Sequence, residues 1–156
     1  MKIYQGNGFL LLFTGLLPCL ITCTSPPREQ PNEKKDFTII FGSGGGFTGF
    51  ANGYVIHGDG RIEKWSGPYF RHDKIETFGT ASSEALKPLR QRFSERAFAQ
   101  WAYQDTGNMT TRVWCISGQD TTSVSWKGIE PGKEVPLPIQ DLYRNLMQVI
   151  KSINQP

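Results

Sequence analysis

The apolar residues that follow Asp36 are grouped in short runs typical of β-strands. FTIIF (37–41), GYVIH (53–57) and RIEKW (61–65) are rich in the β-branched and aromatic residues that strands favour. Asp59-Gly60 separates the second run from the third. Because both central residues of a tight hairpin turn adopt positive φ, which glycine and aspartate tolerate, this pair predicts a β-hairpin.

A second hairpin is predicted further along the chain. TTRVWCIS (110–117) and TTSVSWK (121–127) are again rich in Thr, Val, Ile and Trp, and Gly118-Gln119-Asp120 marks a turn between them. Residues 69–81, by contrast, follow neither a strand period nor a helix period. The pattern therefore assigns them no element.

Apolar residues at helical spacing predict two helices. The first begins near Ser82 or Ser83, which are both suitable N-caps. Its apolar residues are Leu86, Leu89 and Phe93. Pro88 fits this helix only within the first turn, because a later proline removes a backbone hydrogen bond. The second helix is C-terminal and carries the clearest stripe, for which core packing is the simplest interpretation. The stripe consists of Ile139, Leu142, Leu146, Val149, Ile150 and Ile153.

Together these elements predict one α+β domain over residues 37–154. Its antiparallel sheet is built from two hairpins plus an N-terminal strand, and two helices cover one face of it. Phe98, Trp101 and Tyr103 lie between the first helix and the second hairpin, where we expect them to close the edge of the core. A chain of 156 residues is long enough for one such domain.

The first 22 residues have the features of a secretory signal peptide. Lys2 supplies a positive charge, and Phe9 to Thr22 form an uncharged apolar stretch that contains Pro18. This stretch is shorter than the about 20 apolar residues that a membrane-spanning helix needs. We therefore predict export from the cytoplasm.

The end of that stretch, Leu20-Ile21-Thr22-Cys23, resembles a bacterial lipobox, in which the cysteine is lipidated and becomes the mature N-terminus. Cys23 is therefore the predicted lipidation site, and its lipid, palmitate included, is expected to hold the protein on a membrane. The polar, proline-rich residues after it (24–36) predict a disordered tether that reaches roughly 20 Å. We expect a cell-envelope location in a Gram-negative bacterium. The outer membrane is favoured because Thr24, rather than aspartate, follows the cysteine.

Charge and cysteine content narrow the classes of function. Of 17 Lys and Arg residues, 16 remain when Lys2 is set aside, against 14 Asp and Glu residues, and so small a surplus gives no reason to propose nucleic acid as a partner. Cys115 lies in a strand-like run and is expected to be a buried, unreactive thiol. His57 and His72 lack the close ligand spacing of a metal site, and no cofactor is expected.

The stretch GSGGGFTGF (42–50) is the most distinctive in the chain. Gly44, Gly46 and Gly49 match the G-x-G-x-x-G spacing of dinucleotide-binding loops, but strand residues rather than a helix follow, so no nucleotide site is predicted. Two interpretations stay open. Either the glycines form a structural corner of the sheet, or they form a binding loop that lets a partner's backbone approach while Phe47 enters a pocket.

The order of strand, SGGGFTG turn and strand is similar to the opening of emfourin-type proteins, which are small inhibitors of thermolysin-like metalloproteases. The matching positions are Ser43, Gly45, Gly46, Phe47 and Gly49, with Thr48 in a slot for a small residue. The later order of a helix, a strand pair and PLPIQDLYRNLMQVI (136–150) also resembles that family. This chain differs by an extra glycine, a longer hairpin from Tyr54 to Trp65 and the lipoprotein tether.

The resemblance implies a mode of inhibition. The glycine loop would lie in the protease cleft, with Phe47 in an apolar pocket, and would be held rigidly by its two strands. The candidate partner-binding residues are Ser43, Gly44, Gly45, Gly46, Phe47, Thr48 and Gly49. Because one buried phenylalanine contributes only about 1.5–3 kcal/mol, a wider rim is needed. The Asp59-Gly60 turn and the Gly118-Gln119-Asp120 turn are the candidates for that rim.

Other classes of function stay as alternatives. A structural or assembly lipoprotein of the envelope needs no inhibitory activity. Catalysis finds little support, because the sequence contains neither a G-x-S-x-G elbow nor an H-E-x-x-H helix, and we predict that the protein is not an enzyme. The exposure of Phe47 discriminates between the main interpretations. A buried Phe47 favours a structural corner, whereas an exposed one favours a binding loop.

Overall fold

The computed structural model describes residues 37–94 and 101–153, which contain six strands and two helices. In chain order these are β1 Phe37–Gly45, β2 Phe50–His57, β3 Arg61–Pro68, β4 Lys74–Thr80, α1 Ser83–Ser94, β5 Met109–Ser117, β6 Asp120–Lys127 and α2 Leu137–Ile153. The predicted α+β class is confirmed. The predicted signal peptide, Cys23, the tether and Phe98 lie outside the described residues.

The six strands form one antiparallel sheet in the order β4-β3-β2-β1-β5-β6. β1 is therefore central, and its last residue, Gly45, lies opposite both Phe50 of β2 and Met109 of β5. Because neighbouring strands run in opposite directions, their connections alternate between the two ends of the sheet. We call one end of the sheet the glycine-loop end, and it holds residues 46–49, 69–73 and 128–131. The turns at 58–60 and 118–119 lie at the opposite end.

β4 falls in the stretch for which the sequence predicts no element. None of its seven residues is buried, so the apolar alternation that marks a half-buried strand is missing. The pairing with β3 also shifts register between Ile62 and Glu63. Hydrogen bonding to β3, rather than burial of its own side chains, therefore defines this edge strand.

The two helices cover one face of the sheet, and the main core lies between them and the strands. Leu86 and Leu89 of α1 and Leu142 and Leu146 of α2 are completely buried. They pack against inward-facing strand residues: Phe37, Ile39, Phe41, Ile56, Ile62, Val113, Cys115, Val124 and Trp126. Trp101 and Tyr103 pack against this core as predicted. Within the described ranges, no helix is both long enough and apolar enough to cross a membrane.

The start of α1 follows its sequence signals only in part. The helix begins at Ser83, and the Ser82 hydroxyl accepts a hydrogen bond from the Ala85 amide at 3.2 Å, which makes Ser82 the N-cap. The expectation that Pro88 lies in the first turn is wrong, because it is the sixth residue of the helix. Pro88 is exposed, so water can reach the Glu84 carbonyl that the proline leaves without an amide donor.

A second, smaller cluster lies on the opposite face of the sheet, and Trp65 is its centre. Trp65 pairs with Gly53, which pairs with Gly42. The indole is completely buried and extends across β2, so that a Cβ atom on Gly42 would lie 2.5 Å from the ring. Phe70 and His72 flank the indole, with ring centroids 6.2 and 4.4 Å away. Part of the glycine-rich stretch is therefore required by packing.

We expect Gly42→Ala to lower the free energy of unfolding by about 3 kcal/mol, at the upper end of overpacking substitutions, because the new methyl group would overlap the Trp65 ring and the Asn52 carbonyl. Gly118→Ala is the control. Its Cβ would meet no atom within 4 Å, and only its φ of 59° is penalised, at a cost of about 1 kcal/mol. Guanidinium denaturation followed by circular dichroism measures both. Equal losses would contradict the packing role of Gly42.

Candidate functional site

The glycine loop is a tight turn between β1 and β2. The Gly49 amide donates a hydrogen bond to the Gly46 carbonyl at 3.3 Å, which closes a four-residue turn with Phe47 and Thr48 at its tip. Gly45, Gly46 and Gly49 have φ values of 131°, 67° and 62°. Residues with a Cβ atom rarely adopt such values, so the backbone conformation of the turn explains these three glycines.

Phe47 projects from the tip of this turn. The residue is 108 % exposed, so folding buries none of it. A large apolar side chain in this position contributes nothing to the core, so core packing does not explain it. The exposure of Phe47 therefore favours the binding loop over the structural corner for residues 46–49.

Hydrogen bonds on both flanks hold the glycine loop in place. The Gly46 amide donates to the Asn108 carbonyl at 2.6 Å, and the Tyr69 amide donates to the Gly49 carbonyl at 2.7 Å. Two separate segments, one before β5 and one after β3, therefore brace the loop. A loop fixed in this way loses little conformational entropy when a partner binds it.

Ser43 lies beneath the loop and belongs to its support. Its hydroxyl lies 2.6 Å from that of Thr111, which donates to the carbonyls of Gly128 and Ile129 at 2.7 and 3.0 Å. Because the single Thr111 proton is engaged by these carbonyls, Ser43 is the donor to Thr111. The Ser43 hydroxyl thus connects β1 to the segment after β6 instead of facing a partner.

Four further apolar side chains are exposed at the glycine-loop end of the sheet. Phe50 begins β2, Tyr69 follows β3, Met109 begins β5 and Ile129 lies two residues after β6. Their exposed fractions run from 37 % to 79 %. We call these four residues and Phe47 the apolar tip. None of its side chains carries a charge.

The rim predicted from the sequence is wrong in position. The Asp59-Gly60 turn and the Gly118-Gln119-Asp120 turn both lie at the end of the sheet opposite Phe47. The exposed apolar residues at the same end as Phe47 are ones that the sequence interpretation did not single out. A weak local signal exists for two of them, because Tyr69 directly follows Pro68 and Ile129 directly follows Gly128, so each is a large apolar residue at a turn.

The titratable residues considered in the sequence lie at separate places. His57 contacts Glu63 at 3.2 Å near the end opposite the glycine loop, whereas His72 lies against Trp65, where burial lowers its pKa. Burial raises the pKa of the Cys115 thiol to about 12. In the part of the chain that the structure describes, no three His, Cys, Asp or Glu residues are grouped to hold a metal ion.

We expect Phe47→Ala to change the free energy of unfolding by less than about 0.5 kcal/mol, because an exposed side chain without packing contributes little to stability. Phe41→Ala is the matched control. Phe41 is buried in the main core on the strand that leads into the loop, and its loss is expected to cost about 3–5 kcal/mol. Denaturant unfolding of both variants tests this. A large loss for Phe47→Ala would show that the loop packs against the domain.

We also expect Cys115 in the folded protein to resist alkylation by iodoacetamide at about pH 8, and to react in about 6 M guanidinium. Only the thiolate is nucleophilic, and about pH 8 is well below the pKa of this thiol in the folded state. The folded-state pKa lies above the ordinary value of 9.0, so the stabilisation from the neutral thiol is present at neutral pH and is lost as the pH rises toward about 12. Mass spectrometry of the peptide that contains Cys115 measures the reaction. Rapid labelling of the folded chain would contradict its burial.

No family model matches the chain. A search of curated proteins gives no significant match either. The resemblance to emfourin-type inhibitors therefore rests on the residues of the glycine loop and the order of the elements, and function has to be inferred from the geometry of the apolar tip.

Proposed function

We propose that this protein is a non-catalytic binding module of the cell envelope, anchored to a membrane by lipid on Cys23, and that its glycine loop inhibits a thermolysin-like metalloprotease. The observation that carries the proposal is the fully exposed Phe47 at the tip of a loop braced on both flanks. Burial of that side chain in a partner's pocket is worth about 1.5–3 kcal/mol.

The loop presents Phe47 at the tip of a tight turn whose main chain is open at Gly46. A Cβ atom on Gly46 would meet only the Met109 sulfur, at 4.0 Å, so a cleft wall can approach the main chain next to Phe47 at this glycine. Inhibition rather than cleavage requires that the loop keeps its shape after docking. The hydrogen bonds to Asn108 and Tyr69 supply this rigidity, because they join the loop to two segments that are distant in sequence.

The rest of the apolar tip supplies the additional contact area. One phenylalanine is too little for tight binding, and a typical specific interface covers about 800 Å² on each partner. Phe50, Tyr69, Met109 and Ile129 surround the loop and are exposed. A partner that receives Phe47 is therefore expected to cover some of them as well.

The direction of the tip fits an anchored protein. The chain enters the sheet at Phe37, and β1 carries it through nine residues to the glycine loop. At about 3.3 Å per residue, the loop lies roughly 30 Å from that entry point. An anchor at Cys23 therefore joins the domain at the end opposite the apolar tip, which leaves the tip clear of the attachment point.

The alternative is a structural or assembly lipoprotein without inhibitory activity. The observation that favours it is β4, whose outer edge is unpaired in the described part of the chain and whose residues are all at least partly exposed. Unpaired backbone groups on an edge strand can accept a strand from another protein. Lys74 and Glu76, paired at 2.7 Å, give this edge a polar surface that opposes non-specific pairing.

The test is an inhibition titration with the full chain in detergent micelles against a panel of thermolysin-like metalloproteases. We expect stoichiometric inhibition of at least one protease. Phe47→Ala is expected to weaken it by about 10- to 150-fold, which corresponds to the 1.5–3 kcal/mol of one buried phenylalanine. Ile75→Ala is the control, because it removes an exposed apolar side chain on β4, outside the apolar tip.

Two results would count against the proposal. No inhibition of any protease by the folded chain would remove the inhibitor function and leave the structural alternative. Full inhibition by Phe47→Ala would show that the inhibitory contact lies outside the glycine loop.

A further inference from the structure

Tyr69 and Phe70, in the connection from β3 to β4, have an unusual backbone conformation. Their φ values are 52° and 60°, in the left-handed region. In the two ranges that the structure describes, no other non-glycine residue has a positive φ. Side chains disfavour this region because the Cβ atom crowds the following carbonyl oxygen. Two such residues in succession require a compensating gain.

Packing explains the conformation of Phe70. Its ring lies 6.2 Å from Trp65 and 5.9 Å from Trp114, measured between centroids, and the Arg112 guanidinium lies 5.1 Å above it. Aromatic and cation–π contacts of this kind stabilise a ring beyond the area that it buries. Phe70 thus completes the cluster around Trp65, and its backbone conformation serves folding.

Packing does not explain the side chain of Tyr69. Its amide holds the glycine loop through the Gly49 carbonyl, but glycine at this position would donate the same hydrogen bond without crowding. The residue is 79 % exposed. It lies beside Gly49, where a Cβ atom would come within 2.7 Å of it. The left-handed backbone therefore places a large exposed ring directly against the loop that carries Phe47.

We propose that Tyr69 is a second contact residue of this binding surface, and that the partner is a protein cleft with two adjoining apolar subsites. One subsite receives Phe47. The other receives the Tyr69 ring and offers a hydrogen-bond acceptor to the phenol, since buried tyrosine hydroxyls are normally paired. This inference rests on the proposed binding function of the glycine loop and names the shape of the site that it enters.

Charge and direction favour a protein cleft over a lipid surface. Attraction to anionic lipid depends on Lys and Arg, and the apolar tip contains neither. Arg71, in the same connection as Tyr69, is paired with Asp73 at 3.5 Å, and Lys74, the first residue of β4, is paired with Glu76 at 2.7 Å. The tip also lies at the end of the sheet opposite Phe37, where the chain enters from the anchor side.

Site-specific photocrosslinking in the cells that make the chain tests the contact whatever the identity of the partner. The photoreactive residue p-benzoyl-phenylalanine replaces Phe47, Tyr69 or Gln119 in the full chain. Gln119 is the control, because it is exposed at the opposite end of the sheet. We expect one and the same protein, identified by mass spectrometry, to crosslink at positions 47 and 69 and not at position 119.

Each other outcome is decisive. A protein that crosslinks at 47 but not at 69 overturns the role of Tyr69 and leaves the glycine-loop function standing. A shared protein that is not a metalloprotease supports the role of Tyr69 and overturns the inhibitor function. Crosslinks to lipid at position 69 overturn the proposal that the partner is a protein cleft. The absence of crosslinks at both positions overturns the role of Tyr69 and the binding function of the glycine loop together.

Variants of Tyr69 separate contact from structure. Tyr69→Gly relieves the left-handed strain, so we expect an unchanged or higher midpoint of thermal unfolding together with at least tenfold weaker inhibition of a thermolysin-like metalloprotease. Tyr69→Phe is expected to keep most of the inhibition, because it keeps the ring. Phe70→Gly relieves the same strain but should lower the unfolding midpoint, since it removes the packing on Trp65. Unweakened inhibition by Tyr69→Gly would overturn the proposal.

Discussion

The packing of Trp65 across Gly53 onto Gly42 is the contact on which the rest of the structure depends. The indole is completely buried on a sheet face that neither α1 nor α2 covers, and it fits only because Gly42 has no Cβ atom, which would lie 2.5 Å from the ring. Phe70 then flanks the indole, which fixes the connection from β3 to β4. That connection braces the glycine loop through Tyr69. A packing requirement on one face thus shapes the apolar tip at one end of the sheet.

The glycine-rich stretch therefore combines packing within the sheet with the exposure of an apolar side chain at the tip of a turn. Gly42 serves the packing of Trp65, whereas Gly46 and Gly49 provide the backbone conformations of the turn. Ser43 supports the turn through Thr111, and Phe47 is presented to solvent. The number of glycines exceeds what a tight turn needs because part of them belongs to the open face of the sheet. A rigid base and an exposed apolar tip are the two properties that a preorganised binding loop requires.

Local sequence signals predicted the elements whose side chains are buried on one side. The stripe of α2 is buried from Ile139 to Ile150, and Ser82 caps α1. The sequence did not predict β4, because its side chains follow no apolar period. Pairing with β3, and not burial, defines this strand. The position of Pro88 within α1 was predicted wrongly. The free-energy cost of a proline in a helix interior depends on whether water reaches the carbonyl of Glu84, and only the packed structure shows that Pro88 is exposed.

The sequence by itself determined the class of fold, the glycine turn and Phe47 as its apolar residue, because these depend on side chains and backbone conformations within a few residues of one another. Tertiary structure alone decided the surface around Phe47. Phe50, Tyr69, Met109 and Ile129 adjoin four different strands, and only the antiparallel order of those strands brings them to the same end of the sheet. The same strand order places the Asp59-Gly60 turn and the Gly118-Gln119-Asp120 turn at the opposite end of the sheet. Strand pairing joins residues that are distant along the chain, so no local pattern contains this information.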